Sequence, residues 1–216
     1  MTPPGDPPDA AVVVTIDALA AACIAQAAPV RFGVAVSAAD LEAVHRLRYE
    51  VVVAQGWAPA HPFPNGLERD SDDAAAVQVA GWLGSRVIAT GRLVQPAVGR
   101  RLPTEAAFDI ALSGRERLID VGRVCVAPAY RSVAHRVFRG ALGQIWCEMR
   151  RRDCEEAATV VTATVARIYE RWGLRVTALA APRPYWGELR FPARIAPAAA
   201  MGRLLPAVGT SAHPDR

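Results

Sequence analysis

A chain of 216 residues that is 52% hydrophobic and 21% charged is long enough for one ordinary core and too apolar for a disordered polymer. A net charge of +4 admits an acidic partner, but all 25 basic residues are arginines scattered along the chain, without the single basic stripe of a nucleic-acid binder. No apolar run reaches the ~18 residues of a membrane helix, and the first basic residue is Arg31, so no basic leader region precedes the early apolar stretch.

Residues 1–12 are Pro-rich and read as a flexible tail, and 198–216 as a second one, leaving a single domain over 13–197. Residues 13–27 fit either a helix or a strand leading into one, because VVVTI favours a strand and DALAAACIAQA a helix. The segment 31–36 reads as a strand, after which Ser37 can cap a helix whose Leu41, Val44, Leu47, Val51 and Val52 recur at helical spacing. A long ordered loop over 56–73 precedes a hairpin of two apolar strands joined near Gly84. A short helix is expected near 104–110, and the strongest strand signal is LIDVGRVCVAP at 118–128. A long helix over 132–152, a strand at 157–163, a helix at 164–174 and strands at 176–180 and 186–195 complete the chain. The order is β-α-β-β-β-α-β-α-β-β, an α/β arrangement with a mixed central sheet flanked by helices.

Set into these elements is a dispersed polar skeleton: Arg48, Trp57, Glu68-x-Asp70-x-x-Asp73, Arg92 and Asp120-x-x-Arg123. Arg92 and Arg123 lie in strands that are otherwise apolar, and a buried arginine requires a partner. The acidic run on its own is more often solvated surface, and it lacks the His or Cys spacing of a metal site. Cys125 has no evident histidine partner and reads as a packing residue. The four cysteines show no C-x-x-C spacing and suit a reducing, cytoplasmic location.

The element order, with a strand ending in VAPAYR before a long helix, resembles the GNAT acyltransferase superfamily. Within it the skeleton is similar to the acyl-homoserine-lactone (autoinducer) synthases and the long-chain N-acyl amino acid synthases. LRYEVVVAQGW supplies their Arg and Trp as Arg48 and Trp57, and GLERDSDD supplies their acidic motif as Glu68, Asp70 and Asp73. TGRLVQP supplies Arg92, LPTEAAFDI supplies Phe108, and IDVGRV supplies Asp120 and Arg123, with Asp120 and Gly122 standing where the autoinducer synthases usually carry Glu and Ser. The closing YERWGLRV and YWGELRFP look more like the N-acyl amino acid branch.

The resemblance implies transfer of a fatty acyl group from a thioester to an amine, without a covalent enzyme intermediate and without a tightly bound cofactor or metal. Asp120, or Glu68 through water, would take the amine proton, beside Arg123. Backbone N–H groups near Val124 and Val126 would polarise the carbonyl. Arg48, Trp57, Asp70, Asp73, Arg92 and Phe108 would shape the acceptor pocket, and mutation of this network is expected to affect turnover more than folding. Val126, Arg131, Ser132 and Arg136 would meet the phosphopantetheine arm. Positions 131–136 lack the glycines that let a CoA pyrophosphate approach backbone amides, which favours acyl carrier protein over acyl-CoA as donor. An amino acid is the expected acceptor. S-Adenosylmethionine with lactone formation is an alternative, and a non-catalytic lipid- or carrier-binding module is another.

Overall fold

The computed structural model describes residues 10–59 and 62–198, the side chains of 131–135 excepted. The tail segments 1–9 and 199–216 and the side chains of Arg131 and Ser132 therefore lie outside the described residues. In chain order the elements are α1 (Ala10–Gln26), β1 (Arg31–Val34), α2 (Ala38–Ala54), β2 (Ala76–Leu83), β3 (Arg86–Val94), α3 (Pro103–Phe108), β4 (Leu118–Val126), α4 (Ala134–Arg150), β5 (Glu156–Val161), α5 (Ala163–Arg171), β6 (Leu174–Ala178), β7 (Arg183–Tyr185) and β8 (Glu188–Pro197).

The expected order is present, with the short helix expected near 104–110 found as α3 and with α1 and β7 added. The segment that fitted either a helix or a strand is helical, and it begins at Ala10, so residues 10–12 belong to α1 and not to a tail. Its apolar residues surround the axis, which hides the helical period, and Val12, Val13, Ile16, Ala20 and Cys23 are the ones it buries. The strand expected at 31–36 stops at Val34. The last strand starts at Glu188, because Trp186 and Gly187 form a two-residue turn back from β7. Both turn residues have positive φ, 50° for Trp186 and 70° for Gly187, as a primed hairpin turn requires.

The sheet runs β1-β2-β3-β4-β5-β8-β6, with β7 pairing β8. All neighbours are antiparallel except β4 and β5. That parallel pairing covers only Leu118, Ile119 and Asp120 against Glu156, Ala157 and Ala158. Beyond it the two strands part: β5 stays with β8 through Val161 and β4 stays with β3 through Val126.

Helices cover both faces. Alternation along β3 assigns them: the α-carbon of Gly91 faces Ile145 of α4, whereas Arg92 faces α2. Ser37 caps α2 by accepting from Asp40 N at 3.0 Å, and Val44, Leu47, Val51 and Val52 bury its apolar stripe. α1 lies on α4, where a side chain on Gly143 would come within 2.7 Å of Ala20 O, so the two backbones touch. Ile16, Ala20, Ile145, Trp146 and Met149 form a core there that continues to Val121, Ala157 and Ile195 of the sheet. No helix among the described residues is long and apolar enough to cross a membrane.

Candidate functional site

The acidic motif owes its spacing to a local device. Residues Ser71–Ala75 form a 3₁₀ turn with Asp70 at its N-cap: Asp72 N donates to Asp70 Oδ1 at 2.9 Å, and Asp70 N donates to Asp73 Oδ2 at 2.8 Å. Carboxylates at i and i+3 thus cap each other's backbone and leave their remaining oxygens directed at α2, β3 and β4. Glu68 N donates to His45 O at 3.1 Å, which pins the loop to α2.

Those oxygens close a ring with three arginines. Arg48 Nε donates to Glu68 Oε2, and its terminal nitrogens hold both oxygens of Asp73 at 2.7 and 3.1 Å. Arg92 Nη1 donates to Asp70 at 2.6 Å and to Asp73 at 3.3 Å. Arg123 completes the circuit, donating from Nε to Glu68 Oε1 at 3.0 Å and from Nη2 to Asp70 Oδ2 at 3.1 Å. Each arginine holds two acids and each acid two arginines, so three positive and three negative charges cancel. Gln78 Nε2 adds a bond to Asp73 at 2.9 Å.

Charges this deep survive only because they are paired. The Arg48 side chain is 0% exposed and those of Glu68 and Arg92 2% each. For Asp73, burial works to raise the pKa, but the hydrogen bonds and charge of Arg48, with Arg92, outweigh it and hold the carboxyl well below the usual range. Burial likewise opposes ionisation of Asp70, and Arg92 and Arg123 again prevail.

Arg123 sits at φ 53°, and the β3–β4 register slips between Thr90 and Arg92 opposite it. This is a β-bulge, which turns a strand residue out of the ladder and commonly sits beside an active site. Past the bulge, Ala127 N donates to Ile88 O at 2.8 Å. Because successive amides alternate sides, Val126 N–H points away from β3, toward the gap left by β5.

That gap opens into a cleft of about 500 Å³ lined by Arg48, Trp57, Arg92, Asp120, Gly122, Arg123, Val124, Thr159, Tyr185, Trp186, Glu188 and Arg190 among others. Asp120 is its one deeply buried carboxylate among the described lining residues, 3% exposed, and accepts from Thr104 N at 2.7 Å. Burial pushes its pKa up to about 6, against the hydrogen bonds from Thr104. On the other face of the sheet lies an apolar cavity of about 320 Å³ between α1, α4, α5 and the strands. Val121, Thr159 and Tyr169 line both spaces, so the cleft and the apolar cavity share a wall where the strands part.

Several sequence expectations need correction against this geometry. Glu68, Asp70 and Asp73 stand behind the arginines and do not line the cleft. Both Glu68 oxygens hold guanidinium groups, which leaves it no role as a proton acceptor. Phe108 is also outside the cleft; it packs on Tyr185 at 5.7 Å and under Arg183 at 4.7 Å. Trp57 does line the cleft and Trp146 the apolar chamber. Arg136 is exposed near the start of α4. Cys125 is buried and its thiol is pushed by burial up to about 11, so it is no nucleophile at neutral pH. Sequence reasoning missed Thr104, Tyr169, Trp186, Glu188 and Arg190. The YWGELRFP segment carried the signal for three of them, but only as a resemblance without roles.

The depth of the pairing gives the network a bearing on stability as well as on turnover. Arg48→Met strands Glu68 and Asp73 as unpaired buried charges, at a cost of about 3–5 kcal/mol. Urea denaturation should show that loss. It should shrink as the pH falls through the acid range, because carboxylates held low in the folded state contribute stability above their unfolded pKa and lose it on protonation.

Comparison with known proteins accords with this arrangement. The family model described as "N-acyl amino acid synthase FeeM" matches residues 43–196. No curated protein sequence matches the chain. Among solved structures, the CoA-dependent acyl-homoserine lactone synthase BjaI, solved with S-adenosylmethionine and isopentyl-CoA, superposes with a TM-score of 0.63 at 18% identity, over 80% of this chain and 83% of BjaI. FeeM from uncultured soil microbes gives 0.61 at 13% identity, over 81% and 97% of the two chains. A putative N-acetyltransferase from Lactobacillus plantarum gives 0.56 at 22% identity, over 76% and 96%. The fold is therefore GNAT-like, and with the family model matching well over half of its length the chain belongs to the FeeM family of N-acyl amino acid synthases.

Proposed function

We propose that this acyltransferase moves a fatty acyl group from an acyl-carrier-protein thioester to the α-amino group of an amino acid, in the cytoplasm. The observation that carries the reading is the fork between β4 and β5, where the cleft holding Asp120 and an apolar cavity of acyl-chain character share the wall residues Val121, Thr159 and Tyr169. Four free cysteines, three of them buried, support a reducing compartment.

In this reading the acyl tail runs past Val121, Thr159 and Tyr169 into the chamber, and the thioester carbonyl rests against the amides of Val124 and Val126. The acceptor stands in the polar cleft beside Asp120. Asp120 takes a proton from the ammonium, whose pKa of about 7.7–8.0 makes this a modest uphill step. The free amine attacks the carbonyl carbon, the N–C bond forms and the oxyanion leans on the amides. The C–S bond then breaks as the nitrogen gives its second proton to the departing thiolate sulfur, and Asp120 releases the first proton to bulk solvent. The arginine ring holds the Arg123 bulge and so the amides in place. The loop at 131–136 offers a cofactor pyrophosphate no glycine, and Arg136 and Arg139 lie on the helix that follows, a basic rim for an acidic carrier.

Incubating the purified protein with acyl carrier protein charged with fatty acids and the twenty amino acids should give N-acyl amino acids by mass spectrometry. A product-free mixture across all donors and acceptors would favour a binding module. Asp120→Asn should lower kcat by about 10²–10⁴ and remove an acid limb of kcat/KM centred near the Asp120 value of about 6. The same variant should be more stable at pH 8, by up to roughly 3 kcal/mol. The sign follows from a raised carboxylate pKa: the folded state bears the cost of ionised Asp120 above that value and is relieved of it as pH falls toward the unfolded one. A variant as active as wild type, with the limb intact, removes Asp120 from the mechanism.

The donor is tested by salt. Turnover with acyl carrier protein should fall about tenfold between 0.1 and 1 M salt, as the screening length shrinks from ~10 to ~3 Å. Salt-insensitive turnover that is equally good with acyl-CoA would assign CoA as the donor.

A further inference from the structure

Four described arginines line the cleft: Arg48, Arg92, Arg123 and Arg190. The first three are closed into the charge-neutral ring, and a new anion could bind them only by displacing a carboxylate already in place. Arg190 differs. It has one ion pair, with Glu188 at 2.7 Å, and the Glu188 side chain is 40% exposed. Its Nε is buried with no partner among the described residues. The guanidinium is stacked on the Trp57 ring at 4.4 Å from the centroid, which fixes its plane and partly strips its water.

We infer that Arg190 is the receptor for the acceptor's α-carboxylate, a role that rests on the amino-acid reading of the site above. A planar guanidinium with an unpaired N–H suits a carboxylate, which it can meet with two parallel hydrogen bonds once Glu188 is displaced. Its neighbours supply the geometry. Trp57 lies at the C-terminal end of α2, and the Trp186–Gly187 turn presses on it, since a side chain on Gly187 would come within 3.1 Å of Trp57 Cα. The Trp186 ring in turn lies over Arg123, whose carbon is 4.5 Å from the ring centroid. The β7–β8 turn therefore bridges the arginine that positions the catalytic bulge and the stack that holds Arg190. A carboxylate on Arg190 places the amino group of the same molecule within the cleft that holds Asp120. Glu188 is the internal competitor: it occupies Arg190 when no substrate carboxylate does.

Binding and turnover separate this inference from the proposed function. Calorimetric titration should use the N-dodecanoyl derivatives of alanine and phenylalanine, each as free acid and as carboxamide. Wild type should bind the acids about tenfold or more tighter than the carboxamides. Arg190→Gln should erase that preference while leaving carboxamide binding unchanged. Glu188→Gln, which frees Arg190, should strengthen binding of the acids and covers the case in which Arg190→Gln does not fold. In turnover, Arg190→Gln should raise KM for the amino acid and leave KM for the acyl donor alone. The inference is overturned if wild type does not distinguish acid from carboxamide, or if Arg190→Gln keeps the distinction. Acyl transfer without a carboxylate preference would sink it and leave the acyltransferase intact. Discrimination in binding without any transfer would do the reverse.

Discussion

A closed ring of six charges, running Arg48, Glu68, Arg123, Asp70, Arg92, Asp73 and back to Arg48, is the constraint on which the rest of this molecule depends. It ties a helix, a loop and two strands together at the β3–β4 bulge. Replacing such a cluster with apolar side chains often preserves or raises stability, so its persistence in a core is not explained by stability alone. What it supplies here is position. Arg123 is a non-glycine residue held at φ 53°, a conformation that costs energy unless its surroundings determine it, and two ion pairs and an aromatic stack do so. The bulge fixes which amides face the cleft. The ring is thus a frame behind the site, and only its arginines reach the cleft wall.

The second element is an absence of pairing. β5 leaves β4 after three residue pairs, while its opposite edge stays with β8 through Val161. In a regular sheet this would waste backbone hydrogen bonds. Here it leaves room at the fork for the cleft, whose wall of Val121, Thr159 and Tyr169 is shared with the apolar cavity. Asp120 sits at the fork, the last β4 residue paired to β5, where burial lifts its pKa toward the range useful to a base at neutral pH. Asp70 and Asp73 of the ring are driven the other way by their arginines. Environment alone moves neighbouring carboxyl groups in opposite directions.

Much of this was legible in the sequence. The helical stripe of α2, the hairpin of β2 and β3 and the apolar run of β4 are local patterns, and local patterns survive into the fold. The polar skeleton was legible as well, because arginines in apolar strands demand partners. Its pairing was not, since three acids and three arginines can be matched in several ways until the backbone sets distances. The spacing of Asp70 and Asp73 carried a capping signature that reads as charge alone without knowledge of the turn. α1 was ambiguous because a helix apolar on every side has no period to detect. The β7–β8 turn was concealed by Trp186, which stands where Asn or Gly would announce a primed hairpin. The parting of β4 from β5 belongs to a non-local pairing, residues 118–120 with 156–158, that no window of sequence contains.

The central claim is that acyl transfer occurs in the cleft where β4 leaves β5. Gly122 lies on its wall, and a β-carbon built there meets no atom within 4 Å. Gly122→Leu should therefore project into the cleft from a β-carbon that crowds no neighbour. The most direct measurement is the rate of N-acyl amino acid formation by this variant, beside its thermal midpoint. The account predicts an unchanged midpoint with acyl transfer lost. A variant that melts like wild type and still transfers acyl groups at the wild-type rate would place the reaction elsewhere and contradict it.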